Sequence, residues 1–198
     1  MIPLKPEGGG HTRARALARE LGLPIVSQVE GEGLAIQVGG DSLHVVGRIP
    51  DEPPGPYRPV CWQLHTLDTL SAAGRRKGQP LLKAVLGRKK ARGRIVLDTT
   101  AGAGEDAWIL AACGCSVIAV EQEAVIFALL RDALSRAGPC ALPTARRIRL
   151  INARAQDVLD RCGGRTDANG SLLPRPHVVY MDPLFPTERR HKSAATRP

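Results

Sequence analysis

Four apolar runs end in polar groups that can do chemistry. Asp98 closes Ile95-Val96-Leu97, Glu121 closes Val117 to Val120, Asn152 closes Ile148 to Ile151, and Asp182 closes His177 to Met181. Runs rich in β-branched residues that stop at an acid or amide read as strand tips. After Asp98 comes Thr99-Thr100-Ala101-Gly102-Ala103-Gly104 and then an apolar run from Ala107 to Cys113, so the order is strand, turn, helix. Gly102 and Gly104 remove Cβ atoms, which lets backbone approach a ligand and adopt positive φ. The helix that follows aims its free N–H groups into the turn.

These positions narrow the ligand. Glu121 lies 19 residues past Gly102, where an acid accepts hydrogen bonds from both ribose hydroxyls of a bound nucleoside. The segment from Asn152 through Asp157 is placed to touch an adenine ring or its amino group. Ala107 stands where the third glycine of a dinucleotide turn often sits, so the turn alone leaves a nicotinamide cofactor open. Asp98, however, gives the pattern D-x-x-x-G-x-G. A carboxylate there suits a cationic amino-acid ligand better than a pyrophosphate. S-adenosylmethionine has a sulfonium, an α-ammonium and no phosphate. Nothing in the chain supplies a positioned histidine for hydride transfer.

The last tip, Asp182-Pro183-Leu184-Phe185-Pro186, suggests the acceptor. An exocyclic amine on a base is a poor nucleophile, because its lone pair is delocalised into the ring. A carboxylate or carbonyl that accepts its hydrogens favours pyramidalisation and frees that lone pair. Asp182 and the Pro183 carbonyl fit this role, the prolines stiffen the turn, and Phe185 is suited to stack on the base. A base inside structured RNA would first have to be extruded.

The charge balance agrees with a polyanion partner. In 198 residues, 28 Lys and Arg face 19 Asp and Glu, a net charge of +9. The cations cluster at Arg75-Arg76-Lys77, Arg88-Lys89-Lys90 with Arg92 and Arg94, Arg146-Arg147 with Arg149, and Arg189-Arg190-His191-Lys192. Such clusters are the electrostatic footprint of nucleic acid. With two Phe, two Trp and two Tyr, a base-stacking aromatic sheet is not expected. The five cysteines form no C-x-x-C pair and have no histidine at ligand spacing, so no metal is expected and Cys113 and Cys115 read as buried small hydrophobes. No apolar run reaches membrane-spanning length, and a cytoplasmic protein with no membrane partner is expected. Its oligomeric state is not legible.

Stepping along the chain, residues 1–12 read as loose, and Arg13 to Leu21 as a helix. Short β-type runs follow at Pro24 to Val29, Leu34 to Val38 and Leu43 to Val46, with Gly39-Gly40-Asp41 as a hairpin signal. Asp51 to Pro59, with four prolines, reads as a linker. Val60 to Leu67 is a further candidate strand, and His65 in it reads as a structural histidine. Gln79 to Leu86 reads as a helix with Pro80 in its first turn. From residue 94 onward, strand alternates with helix: strand 95–98, helix 106–113, strand 116–121, helix 123–137, strand 148–153, helix 155–160 and strand 177–182. That alternation predicts a parallel α/β sheet with its ligands outside the carboxyl ends of the strands. The expected organisation is a β-rich appendage over 1–59 and a catalytic core over 60–198.

The residues Asp98-Thr99-Thr100-Ala101-Gly102-Ala103-Gly104-Glu105-Asp106, Val120-Glu121, Leu150-Ile151-Asn152-Ala153 and Val178 through Pro186 resemble the RsmJ family, 16S ribosomal RNA (guanine-N2)-methyltransferases. The resemblance spans about residues 60–193. It includes the basic segment from Arg75 through Lys83 to Val85, which is similar to the family's stretch before the first core strand. It implies a Rossmann-like sheet and S-adenosylmethionine as cofactor, contacted by Glu105 and Asp106, by Glu121 and Gln122, and by Arg154 and Ala155. It implies that Asp182 opens the active-site motif and that 16S rRNA or the small ribosomal subunit is the partner. Arg75, Arg76, Lys77, Lys83, Arg189 and Arg190 are the expected RNA contacts. Family members continue through further strands beyond the point where this chain stops, so the sheet is expected to be incomplete at its C-terminus. Two other functions fit the residues alone. One is a base-amine methyltransferase acting on DNA, and the other is a non-catalytic basic RNA-binding fragment.

Overall fold

The computed structural model describes residues 2–28, 33–47, 59–69, 71–162 and 173–183. Its larger sheet has four parallel strands: β4 (Ile95–Asp98), β5 (Ser116–Glu121), β6 (Ile148–Asn152) and β7 (Val178–Tyr180). Their order is β6-β5-β4-β7. The chain steps outward from β4 to β5 to β6 and then returns to the other side of β4. The switch point of this Rossmann-like sheet therefore lies between β4 and β7, where such folds open a ligand crevice at the carboxyl ends.

Strand alternation feeds two cores. Val96, Val117 and Ala119 point to one face, where they meet Trp108, Leu110 and Ala111 of α3 (Glu105–Ala112) and Leu130 and Ala133 of α4 (Ala124–Ser135). Leu97, Ile118 and Val120 point to the other, against Val158 of α6 (Ala155–Cys162) and Leu173. Helices on both faces explain why the strands are apolar at consecutive positions rather than at alternate ones. Between α4 and β6, a short helix α5 (Leu142–Ala145) with Pro143 in its first turn closes the first layer.

A second sheet joins β1 (Leu4–Pro6), β2 (Leu34–Val38) and β3 (Leu43–Gly47), with β1 parallel and β3 antiparallel to β2. The Gly39–Ser42 turn closes the β2–β3 hairpin as its glycines predict, with Gly39 N donating to Ser42 O at 3.1 Å. Leu4, Ile36, Val38 and Leu43 of this sheet share one apolar cluster with Ala14 and Leu17 of α1 (His11–Leu21) and Ala128 and Leu129 of α4. Polar anchors reinforce the joint. Arg13 Nη2 reaches Asp132 Oδ1 at 2.5 Å, and Arg136 Nε reaches Asp132 Oδ2 at 2.8 Å. The Asp132 side chain is 1% exposed, so both carboxylate oxygens need these partners.

Several expectations are corrected. The N-terminal dozen residues are not loose: Leu4, with no exposed surface, anchors β1, and α1 starts at His11 rather than Arg13. Pro24 to Val29 is not a described strand; only Ile25 bridges to Leu4, and residue 29 lies outside the described part. Val60 to Leu67 is a single bridge from Val60 to Val45 followed by a 3-10 turn at Leu64–Thr66, where His65 is exposed rather than enclosed. The helix expected from Gln79 begins seven residues earlier, as α2 (Ala72–Leu86), so Pro80 is interior. Ser71 caps it, its hydroxyl accepting from Gly74 N at 3.0 Å. Pro80 removes one helical N–H, a loss that the long helix tolerates. Cys115 is buried as expected, but Cys113, at the end of α3, is exposed. No helix of the described residues is long and apolar enough to cross a membrane.

Candidate active site

The tips of the four strands are stitched together by side chains and turn backbone. Thr99 N and Thr99 Oγ1 both donate to Tyr180 O at 3.0 Å, and Asp182 N donates to Thr100 Oγ1 at 2.8 Å. These bonds lock the ends of β4 and β7. On the other side, Ala101 N donates to Val120 O at 3.0 Å and Gly102 N to Glu121 Oε2 at 3.0 Å. Asn152 Nδ2 then reaches Glu121 O at 2.8 Å, tying β6 to β5. The small hydroxyls and the unhindered turn let four strand ends meet without a bulky side chain between them.

A cavity of about 630 Å³ opens on this line of tips. Thr99, Thr100, Gly102 and Ala103 wall it from β4, Val120 to Glu123 from β5, and Ala153 and Ala155 from the β6 end. Asp182 and Pro183 close the β7 side, and Trp62 and Ile126 complete it. Glu121 and Asp182 thus face one space. The volume is in the range of small-molecule sites, roughly 300–1,000 Å³.

Four carboxylates gather here. Asp98 is 1% exposed, with Oδ1 accepting from Thr100 N at 3.1 Å. Burial, together with the charges of Asp106, Glu121 and Asp182, pushes its pKa up to about 6. Tyr180 Oη donates to Asp106 Oδ2 at 2.6 Å, and burial and that bond hold the phenol well above its ordinary pKa, so it stays a neutral donor. Glu121 Oε1 also accepts from Glu123 N at 2.8 Å, which fixes the carboxylate. Its oxygens keep further lone pairs for a ligand.

The expected site residues do not all converge. Gly102, Glu121, Gln122, Ala155, Asp182 and Pro183 line the cavity. Asp98 sits behind the turn, accepting from Thr100 N, and is not part of the cavity wall. Gly104 is not a cavity wall; it has φ +82°, and a Cβ there would lie 2.4 Å from Leu130 Cδ1, so its smallness serves helix packing. Glu105 and Arg154 are exposed and outside the walls, and Asp106 is engaged by Tyr180. The amide of Asn152 is spent on β5 rather than facing a base. Lys83 is exposed on α2, and Arg75, Arg76 and Lys77 lie on the same helix with side chains outside the described part. Phe185, Arg189 and Arg190 lie outside the described residues. No group of three or more His, Cys, Asp or Glu among the described residues is placed to hold a metal.

Sequence reasoning missed Thr99, Thr100, Tyr180 and Trp62. A pair of small hydroxyls directly after a strand-end acid was the available signal for the first two. Trp62 carried none, because it lies in a stretch read as a strand.

A parallel sheet with its crevice at the switch point, an acid at the second tip and a small-residue turn at the first define a nucleoside-binding Rossmann-type protein. The family model described as "Putative SAM-dependent methyltransferase" matches residues 60–197. The chain is 40% identical over 190 residues to ribosomal RNA small subunit methyltransferase J of Pseudomonas aeruginosa (strain UCBPP-PA14), covering 93% of this chain and 66% of that protein. It is 37% identical over 187 residues to the protein of the same name from Thioalkalivibrio sulfidiphilus, covering 93% and 68%. The crystal structure of the SAM-dependent methyltransferase NGO1261 from Neisseria gonorrhoeae superposes with a TM-score of 0.67 at 24% identity, covering 96% of this chain and 73% of that one, which shows the shared fold. The chain belongs to the RsmJ family of SAM-dependent methyltransferases. It spans 66% of the length of the Pseudomonas aeruginosa relative.

Proposed function

We propose that the chain binds S-adenosylmethionine and methylates the N2 amine of a guanine in 16S rRNA, as a cytoplasmic enzyme of the small ribosomal subunit. One observation carries this reading: Glu121 and Asp182, on different strand tips, wall the same cavity. The family supports it, since its curated relatives are named for methylation of small-subunit rRNA.

The cavity fits the cofactor. Glu121 is placed for ribose hydroxyls, and Val120, Ile126, Ala153 and Ala155 offer apolar surface for an adenine. The four carboxylates favour the positive charge of the sulfonium and ammonium. When bound, the cofactor supplies an electrophilic methyl group. The protein's own part is positioning and proton handling. Asp182 accepts a hydrogen of the target amine and raises the nucleophilicity of its lone pair. Thr100, bonded to the backbone of Asp182, holds that acid beside the turn. Pro183 limits the backbone freedom of the same tip, and Phe185 is assigned the stacking role. Substrate positioning of this kind lowers barriers by removing orientational freedom before reaction.

Calorimetric titration with S-adenosylmethionine and transfer of a labelled methyl group to undermethylated 16S rRNA test the reading together. Glu121→Ala is expected to abolish cofactor binding. Asp182→Ala is expected to retain binding and lose transfer. Transfer to DNA but not rRNA would establish the DNA alternative. RNA retention unaffected by Asp182→Ala, with no cofactor binding by the unaltered chain, would leave only an RNA-binding role.

A further inference from the structure

The sequence carries four basic clusters that point to a nucleic-acid partner, and a reacting base belongs at the cavity. The topology places two of them elsewhere. Parallel strands put all their amino ends on one edge, and the cavity lies at the other. Arg88, Lys89, Lys90, Arg92 and Arg94 occupy the segment that enters β4, so they sit at the amino edge. Arg146 and Arg147 enter β6 at the same edge, with Arg149 just inside that outer strand. Arg175 and His177 enter β7 there.

Backbone bonds confirm that these segments are neighbours. Ser116 N donates to Arg94 O at 2.8 Å, and Val117 N donates to Arg147 O at 2.8 Å. His177 N donates to Ile95 O at 2.8 Å, and Ile95 N donates to the His177 ring at 3.0 Å. With strands about 4.8 Å apart, the backbones of Arg94 and Arg147 are separated by roughly 10 Å. Lys89, Arg94 and His177 share the wall of one shallow depression.

Among the described residues, the segments that enter the strands at this edge carry one sign of charge. No Asp or Glu occurs in residues 87–97, 113–120, 138–151 or 173–181. The helix α6, which returns toward this edge, ends in Asp160 and Arg161 and adds no net charge. Arg88, Lys89, Lys90, Arg92, Arg146 and Arg149 are exposed, and among the described residues none has an ion-pair partner. A structural role would pair these charges within the molecule. An unpaired, single-sign surface is instead suited to phosphates, where released counterions drive binding.

We propose that the amino edge of the sheet is a second RNA-binding surface, gripping the phosphate backbone of the substrate on the side opposite the methyl-transfer cavity. The inference rests on the rRNA methylation reading for the identity of the RNA. Strands of three to six residues at about 3.3 Å each separate edge from cavity by roughly 10–20 Å. One RNA segment lying flat in the cavity mouth does not reach around that distance. The substrate therefore meets the protein at two places, and a folded RNA is favoured over a short single strand. The helix α2, about 22 Å long at 1.5 Å per residue, ends at this edge and presents exposed Lys83 in its last turn.

Two variants of the full chain test this: the triple substitution Arg88→Gln, Lys89→Gln, Lys90→Gln, and the pair Arg146→Gln, Arg147→Gln. Binding of a 16S rRNA transcript is measured between about 50 and 200 mM salt, where phosphate contacts change affinity most visibly. Each variant is expected to bind RNA at least about tenfold more weakly, with the slope of log K against log salt reduced by roughly 0.7–0.9 for each contact removed. Their S-adenosylmethionine titrations and melting temperatures are expected to match the unaltered chain. Affinities and slopes within twofold of the unaltered chain for both variants would overturn the proposal, as would an unaltered chain that does not bind the transcript. Loss of binding to phosphatidylserine vesicles with RNA binding intact would overturn it in favour of a membrane surface. Absence of cofactor binding in the unaltered chain would instead overturn the methyl-transfer reading and leave this surface standing.

Discussion

The Tyr180 hydroxyl and the Asp106 carboxylate are joined at 2.6 Å, connecting β7 to the first turn of α3 across the switch point of the sheet. The two residues are distant in the chain, so this bond helps to hold the β7 tip where Asp182 is needed. Tyr180→Phe removes the donor and keeps the ring. The expected cost is about 1–3 kcal/mol, because the surviving carboxylate is left without its partner. Urea unfolding measures the loss, and a parallel cofactor titration is expected to show weakened binding from a less well-held Asp182.

Asp98 predicts a pH signature. Its pKa of about 6 in the folded chain stands above the ordinary 3.8. Below about pH 3 the group is neutral in folded and unfolded chains alike, and its contribution is at its best. As pH rises from about 4 to 6, the unfolded chain gives up the proton first, so stability falls. The total is on the order of 3 kcal/mol, and it stays lost above pH 6. Asp98→Asn cancels that slope while its amide oxygen still accepts from Thr100 N. Unfolding curves at several pH values are expected to show the difference between variant and parent moving in the variant's favour from pH 4 to 7. A difference that stays flat with pH would contradict the assignment.

The two glycines of the first turn are expected to fail in different ways. Gly104→Ala forces a side chain into positive φ and into Leu130, at a cost on the order of 3 kcal/mol in stability. Gly102 has φ +51°, and a Cβ there would meet only Thr100 O at 3.9 Å, an ordinary contact, so Gly102→Ala costs only about 1–2 kcal/mol in stability. Because Gly102 lines the cavity, its variant is expected to lose cofactor affinity well beyond that stability cost. Melting temperature and calorimetric titration on the same two samples separate the effects.

Asp132 serves the pocket from a distance. It pairs with Arg13 of the N-terminal unit and with Arg136, whose Nη2 donates to Trp62 O at 2.5 Å. Trp62 packs against both apolar clusters and walls the cavity. Asp132→Ala strands two guanidinium groups and is expected to cost about 2–4 kcal/mol, discounted because both are partly exposed. Arg136→Ala is expected to cost less stability, yet to weaken cofactor binding and alter Trp62 emission, although Arg136 is no part of the cavity wall. Unchanged binding in Arg136→Ala would show that Trp62 holds its place without this tether.

What could be read from residue order depended on how local its cause was. The strand–turn–helix around Gly102 and the later alternation were legible, since apolar runs and turn residues are written contiguously. Glu121 and Asp182 were correctly brought together, because parallel topology aligns strand tips. By contrast, β1 is three residues, Leu4-Lys5-Pro6, whose strand character comes from pairing with Ile36 and its neighbours on one side and with Ile25 on the other. The start of α2 was hidden by Pro80, which looked like a first-turn residue and proved interior. Glu105 and Arg154 carry suitable chemistry, but both are exposed and neither is part of the cavity wall. Gly104 was assigned to ligand approach because its neighbour Leu130 lies in a different helix, which no local pattern reveals.

The hydrogen bond from Asp182 N to Thr100 Oγ1 spans 82 positions of chain. The cavity wall from Thr99 to Glu123 is made before Asp182 and Pro183, which follow the final described strand. A nascent chain emerging in order therefore presents a cradle open on the β7 side until that last strand is made. Tight ligand capture then becomes a property of molecules that have finished folding, and occupancy doubles as a reporter of complete assembly.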